Sequence, residues 1–274
     1  MNIWAPFDDN KHRSTSSSSS SGNNHNHHQL TNVKKPVLVF FHSGLFSFGT
    51  ISSHDFDPSN LVAEEEVIVI TVQYRLGALG FASFESDNTN QTSKHMSLAL
   101  SDQILSLEWI QANIETFGGD SKQITISGHG SGAITVIAHL LNPTTNQLFQ
   151  RVIVQGLQNV WNVGIYGLNQ RATQALFDEL GCYNDNQNFH NNSLMALKKC
   201  SIKNKIKASK IIEYQHLMFE KHPVPFGPEF DPQTKKLIKR IQNNEIGITS
   251  HEKPKVSQLI KLFQDWNIFP KHIQ

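Results

Sequence analysis

The chain has 274 residues, of which 38% are hydrophobic and 17% charged, and its 24 lysines and arginines nearly balance its 23 aspartates and glutamates. This length suffices for one large domain with a substantial core, and the balanced charge argues against a nucleic-acid-binding surface, which needs a basic excess. No apolar run approaches the roughly 18 residues that a membrane span requires, and residues 1–13 show no signal-peptide apolar stretch. Two cysteines exclude a disulfide-dense scaffold and a four-cysteine zinc site.

Residues 11–32 form a low-complexity stretch with a serine run and the string Gly-Asn-Asn-His-Asn-His-His. Such a composition buries too little apolar surface to offset the entropy lost on ordering, so it predicts a disordered loop. His25, His27 and His28 could bind a metal, but no second cluster has ligand spacing. We therefore expect no metal site and no cofactor.

Continuous apolar runs of strand length follow this stretch, at residues 37–41, 67–72, 124–126 and 152–154. Such runs are typical of strands covered on both faces, as in a parallel sheet. Two helical patterns accompany them: a short helix over 133–141, and an apolar stripe made by Leu100, Ile104, Leu107, Ile110 and Ile114. From residue 168 onward the pattern is more helical and more polar. The alternation of strands and helices predicts a doubly wound α/β sheet.

Seven strings stand in a fixed order along the chain. They are Asn-Ile-Trp-Ala-Pro at 2–6, Val-Phe-Phe-His-Ser-Gly-Leu-Phe at 39–46, Gln-Tyr-Arg-Leu-Gly-Ala-Leu-Gly-Phe at 73–81, Leu-Ala-Leu-Ser-Asp-Gln at 98–103, the stretch 108–120, the stretch 124–133, and Phe-Gly-Pro-Glu-Phe-Asp at 226–231. Together they resemble motifs of the type-B carboxylesterase and cholinesterase family of α/β-hydrolases. Within these motifs Arg75, Asp102 and Asp120 are interpreted as structural residues that hold loops through hydrogen bonds and ion pairs.

This resemblance implies an α/β-hydrolase fold with a mostly parallel central sheet and helices on both faces, truncated at both ends. It divides the chain into an N-terminal strand segment (1–10), the low-complexity loop (11–32) and a partial carboxylesterase-like domain (33–274). A full family domain is about twice as long, so we expect either a fragment or truncated gene model, or a degenerate family member.

The nucleophile elbow of these hydrolases reads Gly-x-Ser-x-Gly, because the serine sits on a tight strand-to-helix turn that needs small residues around it. Here the string is Gly128-His129-Gly130-Ser131-Gly132. Both outer glycines are present, but the central Gly130 has no side chain that could attack a carbonyl. Ser131 is the shifted alternative, although it would place the bulky His129 where a small residue is needed. We therefore expect no functional catalytic residue in this string.

The resemblance assigns the oxyanion-hole positions to Gly44, Leu45 and Ser131, whose backbone N–H groups would bind a substrate oxygen. Because Leu45 replaces a family glycine, we expect it to exclude conformations open to glycine and to crowd the pocket. Losing one such donor typically costs about 10²–10³ in rate, whereas losing a serine nucleophile costs on the order of 10⁶. The missing nucleophile therefore decides the question of catalysis.

Glu252 resembles the triad acid, with an ordinary surface glutamate as the alternative. In this fold the catalytic histidine follows the acid, and only His272 does so here, much closer than the family spacing. His129 and His251 do not match the family's base position either. Even with a nucleophile, we expect this chain to lack its general base.

Cys182 and Cys200 resemble the family's short disulfide loop, and a bridge would imply an oxidising compartment; two buried thiols are the alternative. Asn90 and Asn191 begin glycosylation sequons, a weak signal that agrees with an extracellular or cell-surface location.

The resemblance thus implies a catalytically inactive carboxylesterase-like domain, comparable to neuroligin-, neurotactin-, gliotactin- and glutactin-like adhesion proteins. It would bind a cell-surface or extracellular protein, form a homodimer, and contact no nucleic acid. One alternative is a carboxylic ester hydrolase that uses Ser131 or is represented by an incomplete gene model. Another is a decayed sequence without a stable product.

Overall fold

The computed structural model describes residues 1–6, 33–52, 57–82, 97–156, 168–179 and 226–228. The elements in chain order are strand β1 (Asn2–Trp4), strand β2 (Lys35–Phe41), helix α1 (Ser59–Glu65), strand β3 (Ile68–Val72), helix α2 (Gly77–Phe81), helix α3 (Leu98–Asn113), a 3-10 helix (Ile114–Phe117), strand β4 (Gly119–His129), helix α4 (Ser131–Leu141), strand β5 (Arg151–Gln155) and helix α5 (Leu168–Glu179). The four apolar runs of the sequence coincide with β2, β3, β4 and β5, and this confirms them as strands.

The strands form one five-stranded sheet in the order β1-β3-β2-β4-β5. Strand β1 pairs with β3 in antiparallel orientation, whereas all the other neighbouring strands are parallel. In the register of β2 with β4, Phe41 lies opposite Gly128. The loop after β2 and the turn after β4 therefore leave the sheet side by side, at the carboxyl edge where ligands bind in open α/β sheets.

Burial explains why β3 is apolar without alternation. All five residues of β3 are buried, so both faces of the sheet are covered there. Helix α4 buries nearly its whole circumference, from Ser131 to Ile137 together with His139 and Leu140. The predicted α/β fold with a mostly parallel, covered sheet is confirmed. Among the helices in the described ranges, none is long and apolar enough to cross a membrane.

The buried face of α3 differs from the predicted stripe. Its buried residues are Ala99, Gln103, Leu107 and Ile110, continued by Ile114 in the 3-10 helix, while Leu100 and Ile104 are only half-buried. Gln103 lies inside because its Oε1 is 2.8 Å from Nε2 of His139 in α4. The partner of Oε1 stands 36 positions away in sequence, while Nε2 of Gln103 is buried without a hydrogen-bond partner among the described residues.

Arg75 and Asp102 form the structural ion pair expected of them. The Nε–H of Arg75 donates to Oδ2 of Asp102 at 2.8 Å, and its Nη2 donates to Oδ1 at 2.7 Å. This paired contact fixes the loop after β3 to the first turns of α3. Asp120 is likewise structural, since its carboxylate accepts from the backbone N–H of Lys122 and the side chain of Gln123, both at 2.9 Å.

Candidate functional site

Strand β4 joins helix α4 through a single residue, Gly130, which has φ 55° and ψ −116° and whose N–H donates to the carbonyl of Gln155 at 2.9 Å. The glycines on either side are required by close approach. A Cβ at Gly128 would lie 2.4 Å from the carbonyl of Gly132, and a Cβ at Gly132 would lie 2.2 Å from the carbonyl oxygen of Phe41. The strand-turn-helix geometry of a hydrolase elbow is therefore complete.

Position 130 has room for a side chain. A Cβ built there would lie 3.6 Å from Cβ of Ser43 and 3.9 Å from its Oγ, which are ordinary van der Waals contacts. Packing therefore does not force a glycine at the centre of the elbow. Ser43 faces this space from the loop after β2, and the sequence reasoning missed it. The sequence does carry a signal for it, because Ser43 stands at a position where the family motif has a glycine.

The hydroxyl of Ser131 is buried within the elbow. The residue is 3% exposed, and its Oγ has no hydrogen-bond partner among the described residues. Its backbone N–H lies in the first turn of α4, where amide groups have no partner within the helix. The backbone N–H of Ser131 is therefore suited to donate a hydrogen bond, whereas the buried hydroxyl of Ser131 is closed off from a substrate.

In the loop after β2, Leu45 adopts the left-handed region with φ 51°, a conformation that glycine adopts more readily than leucine. Gly44 and Phe46 also have positive φ values, 131° and 59°. The cost for a non-glycine residue is about 1–3 kcal/mol. We attribute the conformation to two anchors: Phe46 is buried against Phe81, and its carbonyl accepts from the N–H of Gly77 at 2.6 Å.

Two histidines near this edge of the sheet are buried. Burial lowers the pKa of His42, which begins the loop after β2, and it lowers the pKa of His139 in α4 to about 4. Both side chains are therefore neutral at physiological pH. Unlike these two histidines, His129 is an exposed residue. Its ring lies beside Gly156, where an added Cβ would be 2.7 Å from Nε2 of His129.

Several predicted residues lie outside the described residues: Glu252, His251, His272, Cys182, Cys200, Asn90, Asn191 and the whole stretch 11–32. The structure brings together Gly130, Ser131, Ser43 and the loop positions Gly44 and Leu45. Within the described part of the chain, no group of three or more histidines, cysteines or acidic residues is arranged to hold a metal ion.

The sequence model of the Carboxylesterase family matches residues 1–264. The chain belongs to the carboxylesterase family. The chain is also similar to a solved structure of PNB esterase, with a TM-score of 0.58 and 27% identity, covering 73% of this chain and 40% of that one. The chain, with its mostly parallel sheet and complete elbow, thus has the family's α/β-hydrolase fold.

The curated relatives of this carboxylesterase-family chain include a carboxylesterase, a cholinesterase and a neuroligin. Carboxylesterase 5A of Felis catus is 42% identical over 120 residues, 44% of this chain and 21% of that protein. Cholinesterase 1 of Branchiostoma lanceolatum is 36% identical over 153 residues, 55% of this chain and 42% of that protein. Neuroligin-2 of Mus musculus is 34% identical over 200 residues, 72% of this chain and 22% of that protein. The chain thus spans less than half the length of these relatives.

Proposed function

We propose that this carboxylesterase-family chain is catalytically inactive and serves as an extracellular protein-binding or cell-adhesion module. The observation that carries the proposal is Gly130. It occupies the centre of a complete elbow and has no side chain, while the neighbouring Ser131 hydroxyl is buried. The fold keeps the shape of a hydrolase and lacks the group that would attack a substrate.

The magnitudes support inactivity. Removing the nucleophile of a serine protease lowers kcat by about 10⁶, and the remaining groups retain only about 10³–10⁴ over the reaction in water. The loop at Gly44 and Leu45, with positive φ at both residues, would supply backbone amides alone. Amides alone bind an oxygen; they form no acyl-enzyme. We infer that the hydrolase fold supports recognition and not turnover in this chain.

The partner class rests on the relatives. Alignment with Neuroligin-2 extends over 72% of this chain and fits the adhesion group that the sequence motifs resemble. A cell-surface or extracellular protein is therefore the proposed partner, and an extracellular location and a homodimer belong to the same proposal. The relatives named as esterases favour a second candidate, a carboxylic ester hydrolase that attacks with Ser131. The burial of the Ser131 hydroxyl opposes it.

The test uses the secreted, glycosylated product of the complete transcript. We expect saturable binding of the labelled protein to intact cells that is lost when surface proteins are removed with trypsin. In parallel, hydrolysis of p-nitrophenyl acetate and butyrate should equal that of the Ser131→Ala variant. Hydrolysis that depends on Ser131 would contradict inactivity, and the absence of saturable surface binding would contradict the adhesion role.

A further inference from the structure

The loop formed by residues 43–49 is folded around the imidazole of His42. Nδ1 of His42 is 2.8 Å from the carbonyl oxygen of Ser43. Gly49, with φ 117°, approaches so closely that a Cβ there would lie 2.5 Å from the same Nδ1. On another side Tyr74 stacks on the imidazole with 4.5 Å between ring centroids and a 16° angle. The ring and the loop therefore hold each other in place.

The hydrogen bonds assign the protonation state of this ring. The carbonyl of Ser43 can only accept, so Nδ1 of His42 carries the hydrogen, and Nε2 of the neutral ring must accept. Its partner is Nε2 of Gln73 at 3.3 Å, which donates. The orientation of that amide is set independently, because Oε1 of Gln73 accepts from the backbone N–H of Ile51 at 3.1 Å.

Protonation of His42 breaks this arrangement. The imidazolium has an N–H at both nitrogens, so its Nε2–H would face the amide N–H₂ of Gln73, donor against donor. Turning the amide over would present the same N–H₂ group to the N–H of Ile51. In the first orientation the hydrogen bond between Gln73 and His42 is lost, and in the second the hydrogen bond between Ile51 and Gln73 is lost. No orientation of a glutamine side chain satisfies both neighbours of the charged ring.

Among the residues that the structure describes, no other group compensates for the added charge. The titratable neighbour of the ring is Tyr74, whose hydroxyl donates to the carbonyl of His42 at 2.7 Å; burial raises the pKa of that phenol, so it stays neutral. The ion pairs Lys34–Glu115, Lys35–Glu66 and Arg75–Asp102 all lie elsewhere. His42 itself is 1% exposed, so water does not take over the role of a partner.

We propose that Gln73 is a positioning residue that acts through His42, and that the pair forms an acid-sensitive latch on the loop 43–49. The ring keeps its Nδ1–H bond to the carbonyl of Ser43 in both states, but the protonated ring cannot stay beside the amide of Gln73. The loop folded around the ring is therefore held while His42 is neutral and loosens when the protonated ring is displaced. Because this loop carries the oxyanion positions Gly44 and Leu45, whatever binds there binds more weakly in acid. The latch is independent of whether the chain hydrolyses esters or binds a protein.

The first test is made on the full-length wild-type chain by NMR. The ¹⁵N shifts of the His42 ring at neutral pH should report the tautomer protonated at Nδ1. As His42 titrates, hydrogen-exchange protection of the Ser47, Phe48 and Ile51 amides should fall by about fivefold, the loss of one ordinary hydrogen bond. Amides of the buried strand residues Val39 and Ile126 serve as the reference for global stability, which His139 also affects.

The second test uses Gln73→Glu, which keeps the size of the side chain. One carboxylate oxygen accepts from Ile51 and the other accepts from the imidazolium, so the proton affinity of His42 should rise about tenfold or more and the loop should keep its protection in acid. Tyr74→Phe is the control, since it removes the hydrogen bond to the carbonyl of His42, directly before the loop, and leaves the hydrogen bond at Nε2 of His42 unchanged. It should loosen the loop equally at all pH values.

Three results would overturn the latch. They are a wild-type His42 protonated at Nε2, a loop-to-strand protection ratio that does not change as His42 titrates, and a Gln73→Glu variant with the wild-type pH dependence. If that variant does not fold, the two wild-type measurements decide the question alone.

Discussion

The turn after β4 and the loop after β2 meet at one edge of the sheet, and they depart from the family motifs in opposite ways. The turn has a glycine, Gly130, where a serine belongs; the loop has Ser43 and Leu45 where glycines belong. Both keep their backbone course, the first through close contacts at Gly128 and Gly132 and the second through the buried Phe46. Backbone shape in this site is therefore set by packing around it, whereas the chemistry depends on a single side chain.

The strongest way to break the turn is Gly132→Ala. The added methyl would lie 2.2 Å from the carbonyl of Phe41, backbone that cannot move aside without disturbing β2. We expect a loss of about 3 kcal/mol or more in the free energy of unfolding, at the upper end for overpacking. The matched control is Gly118→Ala, at φ 83° with nothing within 4 Å, which should cost about 1 kcal/mol. Urea unfolding curves compare the two, and equal losses would contradict the packing argument.

A pH titration of stability tests the helix that follows the turn. Burial lowers the pKa of His139 to about 4 from its usual 6.5, so the folded protein binds fewer protons than the unfolded chain between these values. Stability is then complete above pH 6.5 and falls as the pH is lowered toward 4, by about 3 kcal/mol in total.

The check on this prediction is urea unfolding at several pH values for wild type and His139→Gln. The variant should lose most of the slope between pH 6.5 and 4, although it is less stable overall. A wild-type slope retained by the variant would show that another group causes the acid sensitivity.

Two substitutions in α4 separate a hydroxyl that has a partner from one that has none. Ser131→Ala removes a buried Oγ that lacks a partner among the described residues, so we expect stabilisation by about 1 kcal/mol. Thr135→Val removes a buried Oγ that donates to the carbonyl of Gly132 at 2.8 Å, so we expect destabilisation by about 1 kcal/mol. Melting temperatures should move in opposite directions. A destabilised Ser131→Ala variant would indicate that this hydroxyl has a role the structure does not show.

For Gly130→Ser the expected effect comes from the backbone alone. The contacts of 3.6 and 3.9 Å to Ser43 leave room for the side chain, but the positive φ strains any side chain at this position. The free energy of unfolding should fall by about 1–3 kcal/mol, the cost of that strain. A loss as large as that of Gly132→Ala would mean that packing, and not only chemistry, requires glycine at the centre of the elbow.

The strands and the elbow were predictable because their signals are local. The run 37–41 contains enough apolar residues to define β2, and the spacing of Gly128 and Gly132 defines the turn. Strand β4 is longer than its apolar run because Gly119–Gln123 extend it with polar residues. That extension depends on neighbouring strands, so the sequence alone did not show it.

The site features that were missed depend on contacts between distant segments. Ser43 faces Gly130 because β2 lies beside β4 with Phe41 opposite Gly128. The left-handed conformation of Leu45 follows from the burial of Phe46, which overrides the preference of an isolated leucine. Neither strand order nor the position of a buried anchor is encoded by a local pattern.

The central claim is that the elbow is complete and contains no nucleophile. Covalent labelling with a fluorophosphonate probe tests it most directly, on the secreted product of the complete transcript, with Ser131→Ala as the control and peptide mass spectrometry to locate any adduct. The account predicts a folded protein that carries no adduct on Ser131 and labels no more than its control. An adduct on Ser131 that disappears in Ser131→Ala would contradict the account and make this chain a serine esterase with a shifted nucleophile.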